Sequence, residues 1–224
     1  MNFLVTGGSS GLGKAIVEQL STSASNLITY TYYKTPPTNL LPNVSAIHVD
    51  FSEHDSYTDF INELNKKEFD VLINNYHVGY TQKHVNKINE SDLINSFQNN
   101  VAHTINITNQ LISHFKAQKK GTIVTILSDY VSAAPPTGLS TYVAEKLYLR
   151  AFTQAWHSEL SAKNIYSIAV SPKFMNTPFN ADLPSFIIED LENKGQTVKP
   201  ETVAKLIENV CTEPAKWSGQ NIFI

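Results

Sequence analysis

Tyr142 and Lys146 stand four residues apart in the stretch STYVAEK, residues 140–146. On a helix, positions i and i+4 share a face, so the two side chains are placed to exchange a charge or a proton. A free phenol, with a pKa of about 10, gives up its proton poorly near neutral pH. A neighbouring ammonium favours the phenolate and lowers that value. The same spacing also arises where two unrelated side chains face solvent, so the pair needs companions. One lies upstream. TGGSSGLG, residues 6–13, follows an apolar run and opens a helical stretch. Glycines at 7, 11 and 13 permit positive φ and a close approach of backbone to a pyrophosphate. The free N–H groups of the helix start then face the phosphates. Ser9, Ser10 and Leu12 complete that loop. Its spacing differs from the general G-x-G-x-x-G dinucleotide pattern.

These residues need a scaffold. Short apolar runs recur along the chain: NFLVT, LITYTYY, AIHVDF, DVLINN, TIVTILS, IYSIAVSP and QNIFI. Between them lie segments of helical period, including KAIVEQL, SYTDFINELNKK and the stretches 90–118, 140–162 and 200–212. Strand and helix alternating in this way predict an α/β fold, a doubly wound parallel sheet of about seven strands flanked by helices. The last strand is expected at an edge. No repeat or linker divides the 224 residues, so one domain over 1–224 is expected. The irregular segment 172–199 reads as a short substrate lid.

Composition narrows the classes. With 42% hydrophobic and 17% charged residues, the chain has a globular profile, and a net charge of −3 without a basic cluster argues against nucleic acid. The single cysteine, Cys211, excludes an intrachain disulfide. No uninterrupted apolar stretch is long enough for a membrane span, and no signal-peptide pattern opens the chain, so a cytoplasmic protein is expected. The histidines at 77, 84, 103 and 114 lack compact ligand spacing, so no metal is expected.

Taken in order, Thr6 to Gly13, Asn74–Asn75, Ser128 and Tyr142 to Lys146 resemble the short-chain dehydrogenase/reductase family. The resemblance spans residues 4–224. It implies a Rossmann-like domain that binds NAD(P) and interconverts a carbonyl and an alcohol. By resemblance, Tyr142 moves the proton, Lys146 also holds the nicotinamide ribose, and Ser128 holds the substrate carbonyl. Asn100 matches the asparagine that supports a water leading from the lysine to solvent. Asp50, with Phe51 beside it, corresponds to a carboxylate on the adenine ring, and Asn74 to the adenosine side. Pro172, Met175 and Thr177 correspond to the nicotinamide end. Family members usually pair through the helices carrying the asparagine and the Tyr–Lys motif. A homodimer is therefore expected, with a tetramer as the alternative, because relatives often continue past QNIFI with a glycine-rich tail.

The end of the second strand, Thr31 to Lys34, offers no carboxylate to repel a 2′-phosphate. Lys34 is placed to pair with that phosphate and Tyr33 to stack near the adenine, so NADPH is expected over NADH. Three departures from the family pattern stand out. Tyr76 and His77 occupy positions where small residues are usual, and Lys173 replaces a glycine. Ser128 precedes Tyr142 by one residue more than is common. Tyr76, Asp129 and Lys173 are accordingly the candidate substrate residues. The expected function is NADPH-dependent reduction of a small or carrier-bound carbonyl, including the 3-oxoacyl-carrier-protein type. Two alternatives are a catalytically idle nucleotide-binding subunit and an alcohol dehydrogenase or epimerase of the same fold.

Overall fold

The computed structural model describes residues 1–80 and 82–224. The first half of the sheet comprises β1 (Asn2–Val5), β2 (Leu27–Tyr32), β3 (Val44–His48) and β4 (Val71–Asn74). The second half comprises β5 (Gly121–Ile126), β6 (Ile165–Ser171) and β7 (Asn221–Phe223). All pairs are parallel, in the order β3-β2-β1-β4-β5-β6-β7. The chain winds outward from β1 to β3, then returns to build the other half from β4. The switch between β1 and β4 opens a crevice at the carboxyl ends of the strands, where ligands bind in such sheets. The last strand lies at the edge, as its position in the sequence predicts.

Both faces of the sheet are covered, which is why the central strands read as unbroken apolar runs. On one face, α1 (Gly11–Ser21) packs beside α7 (Pro200–Thr212). Leu12, Ile16 and Leu20 of α1 meet Val203, Ile207 and Val210 of α7 over Val5, Ile73 and Val124. On the other face, α2 (His54–Leu64), α4 (His103–Gln118) and α5 (Ser140–Leu160) bury Phe60, Leu111, Phe115 and Trp156 against Leu4, Leu72 and Ile123. Each such aliphatic side chain contributes about 1.5–3 kcal/mol on burial.

The stretch 90–118 is not one uniform helix. It divides into α3 (Glu90–Phe97) and α4, joined by a π-helical turn over Gln98–Ala102. The start of α3 is fixed by a reciprocal cap, in which the Asn89 side chain accepts from Asp92 N at 2.8 Å while Asn89 N donates back to Asp92. The wide turn turns Asn100 inward, where it is wholly buried. Segment 172–199 carries α6 (Ser185–Asn193), and a bridge between Phe174 and Thr197 closes its base. A short α8 (Pro214–Trp217) precedes β7. No helix among the described residues is long and apolar enough to cross a membrane.

Candidate active site

A cleft of about 790 Å³ runs along the carboxyl ends of the strands, from the glycine loop to the start of α5. Its near end is built by the loops after β1 and β4, which hold each other. Thr6 Oγ1 accepts from the backbone N–H groups of Asn75 and Tyr76, each at 3.1 Å. Asn75 Nδ2 donates to the carbonyls of Thr6 and Gly7, both at 3.0 Å. Thr31 Oγ1 accepts from Gly7 N at 2.8 Å, so the end of β2 pins the same loop.

Two glycines are dictated by geometry. Gly7 has φ +69°, and a side chain on Gly13 would place Cβ 2.0 Å from the Gly7 carbonyl oxygen. Ser10 caps α1 with extended backbone and makes no side-chain bond to the helix, which leaves the first-turn N–H groups open to the cleft. A tight glycine loop whose own backbone leaves no room for a Cβ at Gly13, facing an uncapped helix start, fits a dinucleotide pyrophosphate. Ser9, Ser10, Gly11 and Leu12 line it, and Thr177 lies against Gly11. Tyr33, Lys34 and Phe51 line the adenosine end, with Lys34 Nζ 5.7 Å from the Tyr33 ring centre.

Two expected nucleotide residues are held by bonds within the protein. The Asp50 carboxylate accepts from Ser52 N at 2.9 Å and Ser52 Oγ at 2.6 Å, an Asx turn at the end of β3. Those bonds hold its carboxyl below the ordinary range. Asn74 is buried and donates from Nδ2 to Thr108 Oγ1 at 2.9 Å, joining β4 to α4. Asn75 faces the cleft in its place.

At the far end the sheet brings Ser128, Tyr142 and Lys146 together on the cleft wall. Ser128 follows β5 and caps a short turn, and α5 carries the other two. Lys146 Nζ donates to the Ile126 carbonyl at 3.0 Å and lies 5.7 Å from the Tyr142 ring centre. Burial lowers the Lys146 ammonium to about 8, with Glu145 acting in the opposite direction. The Tyr142 phenol departs from expectation. Burial raises its pKa, Ser128 offsets this in part, and the ammonium, bonded to a backbone carbonyl, does not reverse the shift. A phenol in this state keeps its proton at neutral pH, which suits a donor. Asn100 lies behind this wall: its Oδ1 accepts from Val78 N at 2.8 Å and its Nδ2 donates to Glu145 at 3.1 Å.

The three candidate substrate residues fare differently. Tyr76 packs on Phe51 with ring centres 4.1 Å apart, at the nucleotide end and away from Tyr142. Its bulk finds room there, close enough to the glycine loop that a Cβ on Gly7 would come within 3.1 Å of Tyr76 Cα. Lys173 is tied by its Nζ to the Gly195 carbonyl at 2.9 Å, across the base of segment 172–199. Asp129 does face the cleft. Half-buried, with its carboxyl raised by burial, it accepts from Ser128 Oγ at 3.3 Å.

Aromatic residues that the motifs do not announce close the site. The Tyr80 ring lies 5.2 Å from Tyr142 and 5.3 Å from Phe179, and His77 lies 5.2 Å from Tyr142. Tyr80 Oη donates to Asn180 Oδ1 at 2.8 Å, linking the loop after β4 to segment 172–199. Leu183, Ile187 and Leu191, spaced by four, turn one apolar face of that segment into the cleft.

Comparison with known proteins matches this architecture. The family described as short chain dehydrogenase matches residues 2–187. The chain is 26% identical over 235 residues to a 3-oxoacyl-[acyl-carrier-protein] reductase of Thermotoga maritima, covering 99% of this chain and 94% of that one. The fold superposes on a 3-ketoacyl-(acyl-carrier-protein) reductase of Brucella melitensis complexed with NADH, at TM-score 0.86 and 20% identity, covering 100% and 96% of the two chains. A short chain dehydrogenase from Burkholderia cenocepacia in complex with NADP gives TM-score 0.84 at 23% identity, covering 99% and 95%.

Proposed function

The chain belongs to the short chain dehydrogenase family and is an NAD(P)-type oxidoreductase, and from that premise we propose that it reduces a 3-oxoacyl-type carbonyl with NADPH. The observation that carries this reading is the cleft itself. It starts at a glycine cradle and ends where Ser128, Tyr142 and Lys146 meet. NADPH, when bound, supplies the hydride that turns a carbonyl carbon into an alcohol carbon. Gly7, Ser9, Ser10, Gly11 and Leu12 hold its pyrophosphate, with Gly13 giving the loop its room. Lys34 pairs with the 2′-phosphate, and Tyr33 and Phe51 bound the adenosine. Pro172, Met175 and Thr177 bracket the other end.

The chain's own residues handle the proton. Ser128 orients the carbonyl oxygen by donating to it, which requires its hydroxyl to turn from Asp129. Tyr142, kept protonated by burial, gives its proton to the same oxygen as charge develops there. Lys146 stabilises the phenolate that remains. The phenol, Tyr80 and Phe179 form an aromatic wall that excludes water from this transfer. An apolar acyl chain lies along Leu183, Ile187 and Leu191, so segment 172–199 acts as the substrate lid.

An apolar strip supports a homodimer. Ile94 is 59% exposed on α3, beside Leu93 and Phe97, and Tyr148 of α5 meets Phe97 edge-on at 5.1 Å. The function is tested by following NADPH oxidation with 3-oxoacyl thioesters and simple ketones, using Tyr142→Phe as control. Loss of at least a hundredfold in kcat for Tyr142→Phe is expected. Full activity in that variant, or no turnover by the natural chain on any carbonyl, would overturn the reading.

A further inference from the structure

Adjoining the cleft, and sharing Tyr142 with it, lies a second and more polar cavity of about 510 Å³. Tyr142 and Glu145 both reach it, as does Ser96. Glu145 is a buried carboxylate inserted between the tyrosine and the lysine of the helix motif. Three donors converge on it from three separate elements. His77 Nε2 comes from the loop after β4 at 3.1 Å, Asn100 Nδ2 from the π turn at 3.1 Å, and Ser96 Oγ from α3. The histidine tautomer is fixed, because His77 Nδ1 accepts from Gly79 N at 3.1 Å and so leaves the proton on Nε2. Both side chains are 5% exposed.

A carboxylate buried at this depth is costly unless it is paired and hydrogen-bonded. Its hydrogen bonds are supplied, and its charge has an evident counterpart. Lys146 is the next residue along α5, buried to the same extent, and its own bond goes to a neutral carbonyl. The other titratable groups nearby are His77, facing from the loop after β4, and Tyr142, on α5 itself, with Asp129 facing Tyr142 from the loop after β5. His77 and Tyr142 are uncharged at neutral pH, since burial pulls the imidazole down to about 4 and pushes the phenol up.

We propose that Glu145 is a positioning residue for proton transfer by Tyr142: held by His77, Ser96 and Asn100, its carboxylate is the counter-charge of Lys146 and fixes the face of α5 that aims both residues into the cleft. This rests on the reductase reading above. The geometry gives Glu145 no contact with the substrate space, so its effect falls on turnover and not on binding. Removing the negative charge makes Lys146 lose its proton at lower pH, because burial then acts unopposed.

The test is the pH profile of kcat for the full chain and for Glu145→Gln, which keeps the size of the side chain and removes the charge. The alkaline limb of the profile should move down by about one pH unit, and kcat at pH 7.5 should fall about threefold with KM within twofold. Glu145→Asp, which retains the charge, should hold the limb in place. In the Glu145→Gln background, His77→Gln should cost little more, since residues of one network are not additive. An unshifted limb with unchanged kcat, or a loss confined to KM, overturns the inference. Should Glu145→Gln not fold, Ser96→Ala carries the test. It removes one donor and keeps the charge, so kcat should fall about threefold with the limb unmoved, and an unchanged kcat refutes the positioning role. An inactive natural chain, or an active Tyr142→Phe, would instead refute the reductase reading.

Discussion

Asn75 joins two loops on either side of the sheet's switch point: its amide donates to the Gly7 carbonyl at 3.0 Å and to the Thr6 carbonyl at the same distance. The Gly7 oxygen is also the atom that a Cβ on residue 13 would strike. The phosphate cradle is therefore shaped from the β4 side as much as by its own glycines. Asn75→Ala removes both bonds and leaves two carbonyls without this donor, at a cost of about 1–3 kcal/mol. NADPH affinity, read by fluorescence titration, should fall about tenfold, with the fold retained by circular dichroism. Asn74→Ala, by contrast, breaks a bond to α4 and should lower the melting temperature more than the affinity.

Lys146 titrates near 8 in the folded chain and near its ordinary value of 10.5 when unfolded. Its folded value is depressed, so between those two pH values the unfolded chain binds more protons. Stability from this group therefore rises as pH increases from about 8 to about 10.5. Lys146→Met abolishes that contribution. The difference in melting temperature, natural chain minus variant, should grow in favour of the natural chain across that window, while the variant reduces no substrate. A flat difference would show that the ammonium is not desolvated.

Lys34 stands exposed at the end of β2 with its ammonium over Tyr33. If it recognises a 2′-phosphate, Lys34→Ala should raise KM for NADPH about tenfold and leave KM for NADH within twofold, as expected for one solvent-accessible charge–phosphate contact. Equal changes for both cofactors would remove the basis for NADPH preference.

The strip formed by Leu93, Ile94, Phe97, Leu147 and Tyr148 is large for side chains facing water. Ile94→Asp with Phe97→Asp should convert a dimer into a monomer by light scattering without unfolding the chain. A natural chain already monomeric at tens of micromolar would refute the pairing.

Much of this architecture is legible in the sequence because its signals are local. The apolar runs of β1, β4 and β5 are buried on both faces and leave no ambiguity of period. The sequence of α7 marks its own limits, with Pro200 at its start and a buried row at 203, 207 and 210. Ser128, Tyr142 and Lys146 converge because parallel strands end at one edge. What escaped the sequence depends on side-chain direction. Asn74 and Asn75 are adjacent, and only the strand end decides which faces the cleft. Asp50 satisfies the spacing for a nucleotide contact, and only the structure shows that Ser52 gives its carboxylate two donors. Tyr76 turns to Phe51, so His77, dismissed as a metal ligand, becomes the neighbour of Tyr142. Glu145 did leave a trace. It falls in the inward row with Lys146, Leu149 and Thr153, where an acidic residue needs a partner.

The π turn at Gln98–Ala102 works as a phase shifter between two helices that would otherwise share one screw. One residue more or less turns everything after it by about 100°. Upstream, Leu93, Ile94 and Phe97 face out, whereas downstream Ile107, Leu111 and Phe115 face in. Deleting a single residue there would do more than move Asn100. It would swing the inward row of α4 toward water and bring Asn109 and Lys116 onto the sheet in place of Thr108 and Phe115. The length of this segment is thus constrained as its buried residues are, because the phase of all of α4 depends on it.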